Sequence, residues 1–247
     1  MAIPYHIADY VFYQSKFCQY AADLFLGKRN GESEILYNAV DTELFRPNKI
    51  SSLKNKDPFT FLITGQINKH LFYRIESTIR GMAIAISEGL NAKLIIAGGL
   101  DDHTIKRSSA LAEELKISNN VTFFGAYSQN EAPSIYNSAN AYVMTKHNDP
   151  CPNTVIEALS CGLPVLYSSS GGVPELVGSN AGVSLNCAES WQSVKTPDTK
   201  DICNGMLEIV DKYEKMSNYA RSRACKKFDI KHWIKRHKQI FEQLLIR

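Results

Sequence analysis

The chain has 247 residues, with 28 Lys or Arg against 25 Asp or Glu and a formal net charge of +3; it is longer than one ordinary domain and shorter than two full α/β domains. With 44% apolar and 21% charged residues but only 14 Gly and 9 Pro, the composition excludes disordered, collagenous and low-complexity classes and permits a large buried core. The small net charge excludes a protein whose whole surface tracks a nucleic acid backbone, and six cysteines without a C-x-x-C pair read as free thiols in a reducing compartment.

The start, MAIPYHIADY, has neither a basic nor an apolar targeting region, and no run approaches 18 unbroken apolar residues. The expectation is a cytoplasmic protein without a secretory address. ADYVFYQ then fits a strand, SKFCQYAADLFLG a helix opening at Ser15, and EILYN a second strand, followed by a polar linker, AVDTELFRPNKISSLKNKD. Two strands and one helix cannot enclose a core of their own. Residues 1–46 therefore read as the remnant and linker of an N-terminal domain, with Phe12, Tyr13 and Phe17 left exposed; the alternative is a segment that pads the edge of the main domain.

From residue 58 short apolar runs alternate with helix-periodic ones, the signature of βα units in a parallel sheet. FTFLIT (59–64), AKLIIA (92–97), NVTFF (120–124), NAYVMT (140–145), LPVLYS (163–168) and AGVSL (181–185) predict six strands, with a crossover helix between each pair. Wound right-handedly, they give residues 47–220 a Rossmann-like doubly wound α/β sheet of expected order 3-2-1-4-5-6. Residues 221–247 hold nine Lys or Arg against Asp229 and Glu242, and place Ile230, Trp233, Ile234, Ile240, Phe241 and Leu244 on one helical face. This C-terminal amphipathic helix either packs its apolar stripe on the sheet or lies on an anionic membrane surface.

An open sheet of this topology takes its ligand beyond the carboxyl ends of the first and fourth strands, where the strand order reverses. Two polar loops meet there, 65–74 (GQINKHLFYR) and 146–154 (KHNDPCPNT). Gly65 allows a sharp turn, and Lys69 and Arg74 supply cations suited to phosphate oxygens. Neither G-x-x-x-x-G-K-[ST] nor G-x-G-x-x-G occurs, which argues against a P-loop ATPase and a dinucleotide oxidoreductase. In the second loop Asn153 is a good N-cap for the helix TVIEALSCG, whose free N–H groups favour an anion. Glu157, one turn inside, is placed to accept hydrogen bonds from ligand hydroxyls, with Asp149 eight positions before it.

These segments together resemble the donor-binding half of a GT-B glycosyltransferase of family 4, the glycosyl transferases group 1 proteins. YNAVDTELFRP is similar to the family's interdomain segment, TFFGAYSQNEAPSIYNSANAYVMTK to its stretch from the base-binding loop to the fourth strand, and NDPCPNTVIEALSCGLPVLYSSSGGVPELV to its signature block. The resemblance implies a fold that is the C-terminal half of GT-B, and a retaining transfer of sugar from a nucleoside diphosphate sugar to an acceptor hydroxyl in surface polysaccharide or glycoconjugate synthesis. No cofactor or metal is implied.

By the same resemblance, Glu157 holds the nucleotide ribose and Asp149 faces the donor sugar. Pro152, Asn153 and Thr154 meet sugar hydroxyls and diphosphate, Arg74 and Lys69 neutralise the diphosphate, and Phe124, Gly125, Ala126 and Tyr127 meet the base beside Gly65. The sequence departs from the family pattern in having Asp149 for the first acid and Gly65-Gln66 for Gly-Arg. The implied partners are a nucleotide sugar, a separate polypeptide carrying the N-terminal domain, and a peripheral contact at the inner face of a membrane. The alternative function is a non-catalytic module that binds a nucleotide sugar.

Overall fold

The computed structural model describes residues 2–48 and 57–246; most of the expected linker beyond Asn48 lies outside them. In chain order the N-terminal part has α1 (Ala2–Ile7), β1 (Tyr10–Tyr13), α2 (Lys16–Leu26) and β2 (Glu32–Ile35). The main domain follows with β3 (Phe59–Thr64), α3 (Phe72–Ser87), β4 (Ala92–Ala97), α4 (Asp102–Glu114), β5 (Val121–Gly125), α5 (Ala132–Asn137), β6 (Ala141–Met144), α6 (Asn153–Ser160), β7 (Val165–Ser168), α7 (Val173–Val177) and β8 (Gly182–Leu185). It closes with α8 (Thr199–Asp211), α9 (Tyr213–Lys227) and α10 (Ile230–Leu245).

The six strands β3 to β8 form one parallel sheet in the order β5-β4-β3-β6-β7-β8, the expected 3-2-1-4-5-6. All four residues of β6 and of β7 are buried, as a strand covered on both faces requires. One face carries α3, α4 and α8, with Ile75, Ile79, Met82, Leu111, Ile202 and Met206 in a shared core. The other carries α5, α6, α7 and α9, through Tyr136, Val155, Leu159, Leu176 and Ala220. β3 and β6 are neighbours whose chain connections leave in opposite directions, so a crevice opens beyond Thr64 and Met144.

The N-terminal part has its own two-stranded parallel sheet, Tyr10 opposite Glu32 through Tyr13 opposite Ile35. The second strand thus starts two residues before the predicted EILYN. Ser15 caps α2 as expected, its side chain accepting from Cys18 N–H. The expected exposure of Tyr13 and Phe17 is corrected: they are 6% and 7% exposed. Phe17 stacks on Trp191 at 5.2 Å, and Phe12 lies 4.4 Å from the His237 ring. The neighbouring Ile3, Ile7, Tyr20, Leu24 and Phe25 are the exposed apolar residues of this part.

The stretch read as a polar linker is a clamp up to Pro47. Val40 and Phe45 enter the main core, Val40 N–H donates to Phe228 O (2.8 Å), and Ser160 Oγ donates to Phe45 O (2.6 Å). The amphipathic helix expected over 221–247 is α10 alone, residues 221–227 completing α9. Nor does α10 pack on the sheet, whose two faces are already filled by other helices. It lies on the N-terminal part, where Arg236 makes paired bonds to Glu34 at 2.7 and 2.8 Å.

Candidate functional site

The switch-point crevice is built from the ends of β3, β5 and β6 and the start of α6. Gly65, at φ +136°, turns the chain after β3 in a conformation that only glycine adopts cheaply. Arg74, one turn into α3, is 4% exposed. Its guanidinium reaches back under this turn: Nη2 lies 3.4 Å from Thr64 O and 3.7 Å from Met144 Sδ, and Nη1 is 3.5 Å from where a side chain on residue 65 would start. Nε has no partner, and among the described residues no carboxylate pairs with this cation. A buried, incompletely solvated positive charge is costly, by several kcal/mol in general.

Lys69 is exposed on the same loop, and its backbone bonds Asp101, the N-cap of α4. It stands at the rim while Arg74 lies beneath. Phe124 is 54% exposed at the end of β5, Gly125 and Ala126 carry the chain on, and Tyr127 turns inward to the hydroxyls of Thr64 and Tyr136. The predicted base loop therefore has one outward aromatic and one inward.

At α6 the sequence expectation needs correction. The N-cap position is held by Pro152, with no side-chain cap, and Asn153 is the first helical residue. Pro152 has ψ 120°, extended backbone from which the helix begins one residue later. Asn153 Oδ1 instead accepts from Asn38 Nδ2 at 2.7 Å, which ties α6 to the N-terminal part. Among the described residues no side chain caps the first turn, which leaves a weakly positive end facing the crevice. Thr154 is half-buried beside them.

Asp149 pairs with Lys146 at 2.8 Å, its side chain 12% exposed. The loop carrying it is braced by the Gly171-Gly172 turn. Gly172 N–H donates to Asp149 O (2.9 Å), and a side chain at Gly172 would start 2.0 Å from Pro150 O. The two glycines of the signature block thus permit contact with the acidic loop that any larger residue would force apart. Glu157 is half-buried and accepts from Tyr136 OH at 2.7 Å. Burial holds its carboxyl above the usual range, the Tyr136 bond pulling the other way.

The structure thus gathers Gly65, Arg74, Tyr127 and Glu157 around one crevice, with Asp149 and α6 on its flank and Lys69 and Phe124 at its edge. Residues that the sequence did not single out join them. Lys146 neutralises Asp149, and Thr64, Tyr136 and Tyr142 form a buried hydroxyl group under the crevice. Tyr136 and Tyr142 read as core aromatics by periodicity; only their spacing to Glu157 in the folded chain reveals the polar ends.

The family model described as glycosyl transferases group 1 matches residues 45–223, more than two thirds of the chain. The chain belongs to this family. A probable sucrose-phosphate synthase of Thermosipho melanesiensis is 23% identical over 209 residues, covering 83% of this chain and 46% of its own length. Among solved structures, a sucrose-phosphate synthase from Thermosynechococcus elongatus superposes with a TM-score of 0.78 at 21% identity, covering 98% of this chain and 59% of that one. Anabaena HepE in complex with UDP and glucose superposes with a TM-score of 0.75 at 20% identity, over 97% and 64%. These structural likenesses are of fold: the six-stranded sheet is the C-terminal Rossmann-like half of a GT-B architecture. The chain spans less than half the length of the curated relatives named first among its matches.

Proposed function

We propose that the chain is the donor-binding half of a glycosyltransferase that moves a hexose from a nucleoside diphosphate sugar to an acceptor hydroxyl with retention, in surface polysaccharide or glycoconjugate synthesis. The observation that carries the reading is Arg74, a buried guanidinium with an unpartnered Nε at the switch point. A diphosphate beyond Gly65 would supply the anion that the described residues do not. When the bond between the anomeric carbon and the phosphate oxygen breaks, negative charge grows on the diphosphate. Arg74, Lys69 and the N-terminus of α6 would stabilise it as preorganised positive groups, without a metal.

In this reading Glu157 takes the ribose hydroxyls and Phe124, Gly125, Ala126 and Tyr127 the base. Asp149, Pro152, Asn153 and Thr154 meet the sugar, with Lys146 keeping Asp149 in place. The acceptor belongs to a second domain, on the same or a separate polypeptide. The small size of the β1–β2 sheet and the exposed Tyr20, Leu24 and Phe25 support such a neighbour, because a two-stranded sheet is too small to stand as a domain of its own. A peripheral contact with an anionic membrane surface is supported by α10, where exposed Ile230, Ile234, Phe241 and Leu245 run beside Lys231, Lys235 and Lys238. No helix among the described residues is long and apolar enough to cross a membrane.

Calorimetry of the 247-residue chain with UDP, ADP, GDP and CDP in EDTA tests the reading. One of them is expected to bind, and Arg74→Met to weaken it about 10- to 100-fold, the scale of a lost charge-assisted hydrogen bond. Absence of binding by all four, or an unaltered affinity in the variant, would overturn it.

A further inference from the structure

Tyr142, Thr64, Tyr136 and Glu157 lie in a line beneath the crevice. Tyr142 OH is 3.0 Å from Thr64 Oγ1, Thr64 Oγ1 is 3.3 Å from Tyr136 OH, and Tyr136 OH is 2.7 Å from Glu157 Oε2. The three hydroxyl residues are at most 1% exposed, so water does not share in these bonds. Each hydroxyl has one proton, and an ionised carboxylate only accepts. Tyr136 spends its proton on Glu157, so Thr64 bonds Tyr136 by donating; Tyr142 donates to Thr64, at Oγ1 or at the backbone oxygen 3.5 Å away, and Tyr127 joins the group beside Thr64 and Tyr136. The Tyr136 and Thr64 protons then point toward the carboxylate, and each bond polarises the next. The same Thr64 accepts from Arg74 Nη2 through its backbone oxygen, so one residue touches both the buried cation and the line that ends at the buried carboxylate.

We propose that Tyr136 is a positioning residue for donor binding: backed by Thr64 and Tyr142, its hydroxyl fixes one oxygen of Glu157 and favours the charged carboxylate, leaving the other oxygen to the ribose hydroxyls. This rests on the donor-binding reading of Glu157. The titratable groups that face Glu157 are Tyr136 of α5, Tyr127 of the loop after β5 and Cys161 at the end of α6. Burial raises Tyr127, Tyr136 and Cys161, the thiol to about 12, so these three stay neutral while Glu157 titrates. Glu157 itself is raised by burial and lowered by Tyr136; removal of the hydroxyl raises it further.

The test has a ligand-free and a ligand-bound arm. In the first, urea stability is measured against pH for the protein and for Glu157→Gln, in the native and the Tyr136→Phe backgrounds. A carboxyl raised on folding contributes stability below the unfolded range, and that contribution is lost as pH rises through the folded value. The loss should extend to about one pH unit higher in Tyr136→Phe, with Thr64→Val giving a smaller shift in the same direction. In the second arm, whichever of UDP, ADP, GDP and CDP binds is compared with its 2′,3′-dideoxy form. Tyr136→Phe should weaken the ribose form about tenfold and the dideoxy form less than twofold. An undisplaced titration, or equal weakening of both forms, overturns the positioning role even if the nucleotide binds. A displaced titration in a chain that binds none of the four supports the hydroxyl line and overturns only the donor reading.

Discussion

At Arg74 the type of a residue and the depth of its side chain are separate questions. As a cation near the end of the first main strand it points to phosphate, but nothing in the sequence distinguishes a solvated helix-start arginine from one 4% exposed beneath a glycine turn. The difference arises in the folded chain, where the glycine turn at φ +136° brings Thr64 O over the guanidinium, 3.4 Å from Nη2. Burial without a carboxylate partner predicts a conflict between stability and binding. Arg74→Met keeps length and apolar contact while removing the charge, so it should stabilise the free chain by about 1 kcal/mol, or roughly 2–4 °C in melting temperature, as it loses the nucleoside diphosphate. A lower melting temperature would mean that the guanidinium is already satisfied in the folded chain. Asn153 illustrates the opposite difficulty: a residue with strong N-cap propensity is drawn into the helix because Pro152 holds the extended position and Asn38 claims its side chain.

Among the elements, the six strands were legible because buried parallel strands are short, continuous apolar runs, and their order follows from right-handed crossovers. What covers a helix was not legible. Periodicity reveals which face of α10 is apolar, not that the helix meets the N-terminal part through Arg236 and His237 while Ile234, Phe241 and Leu245 stay exposed, and Val40 and Phe45 reach the core from a stretch that reads as polar linker. The junction between the N-terminal part and the main domain is likewise a three-dimensional fact. Glu175 of α7 accepts from Lys16 N–H and Phe17 N–H, both at 2.9 Å, and from Tyr37 OH at 3.2 Å. A carboxylate thus sits at the start of α2, where it satisfies two otherwise free donors and faces the positive end of the helix. Glu175→Ala should therefore loosen α2 before anything else. Hydrogen exchange at Lys16 and Phe17 is expected to rise about tenfold, the equivalent of 1.4 kcal/mol, while β3 and β6 keep their protection. Uniform acceleration across the sheet would show that the contact supports the whole fold instead of one joint.

At the scale of the molecule, the described residues build one wall of a cleft. Every group assigned to the donor comes from the main domain: the cation from α3, the carboxylate from α6, the base loop after β5. The N-terminal part touches this wall through Asn38, Glu175 and α10, and its own sheet has two strands. Donor binding needs only the first wall. Transfer needs an acceptor oxygen held near the anomeric carbon and water kept out, an effect of positioning that can reach many powers of ten and that closure around two substrates provides. The 247-residue chain assayed alone should bind its nucleoside diphosphate sugar and transfer sugar very slowly or not at all, and addition of a polypeptide that completes the β1–β2 sheet should raise transfer far more than it tightens donor binding. Arg74→Met should then lower the rate of transfer by a larger factor than it weakens the donor, since its charge matters most when the leaving diphosphate carries its full charge. Fast turnover by the chain alone would require the acceptor to be held by the donor wall itself, with α6 and the Asp149 loop as the surface to search.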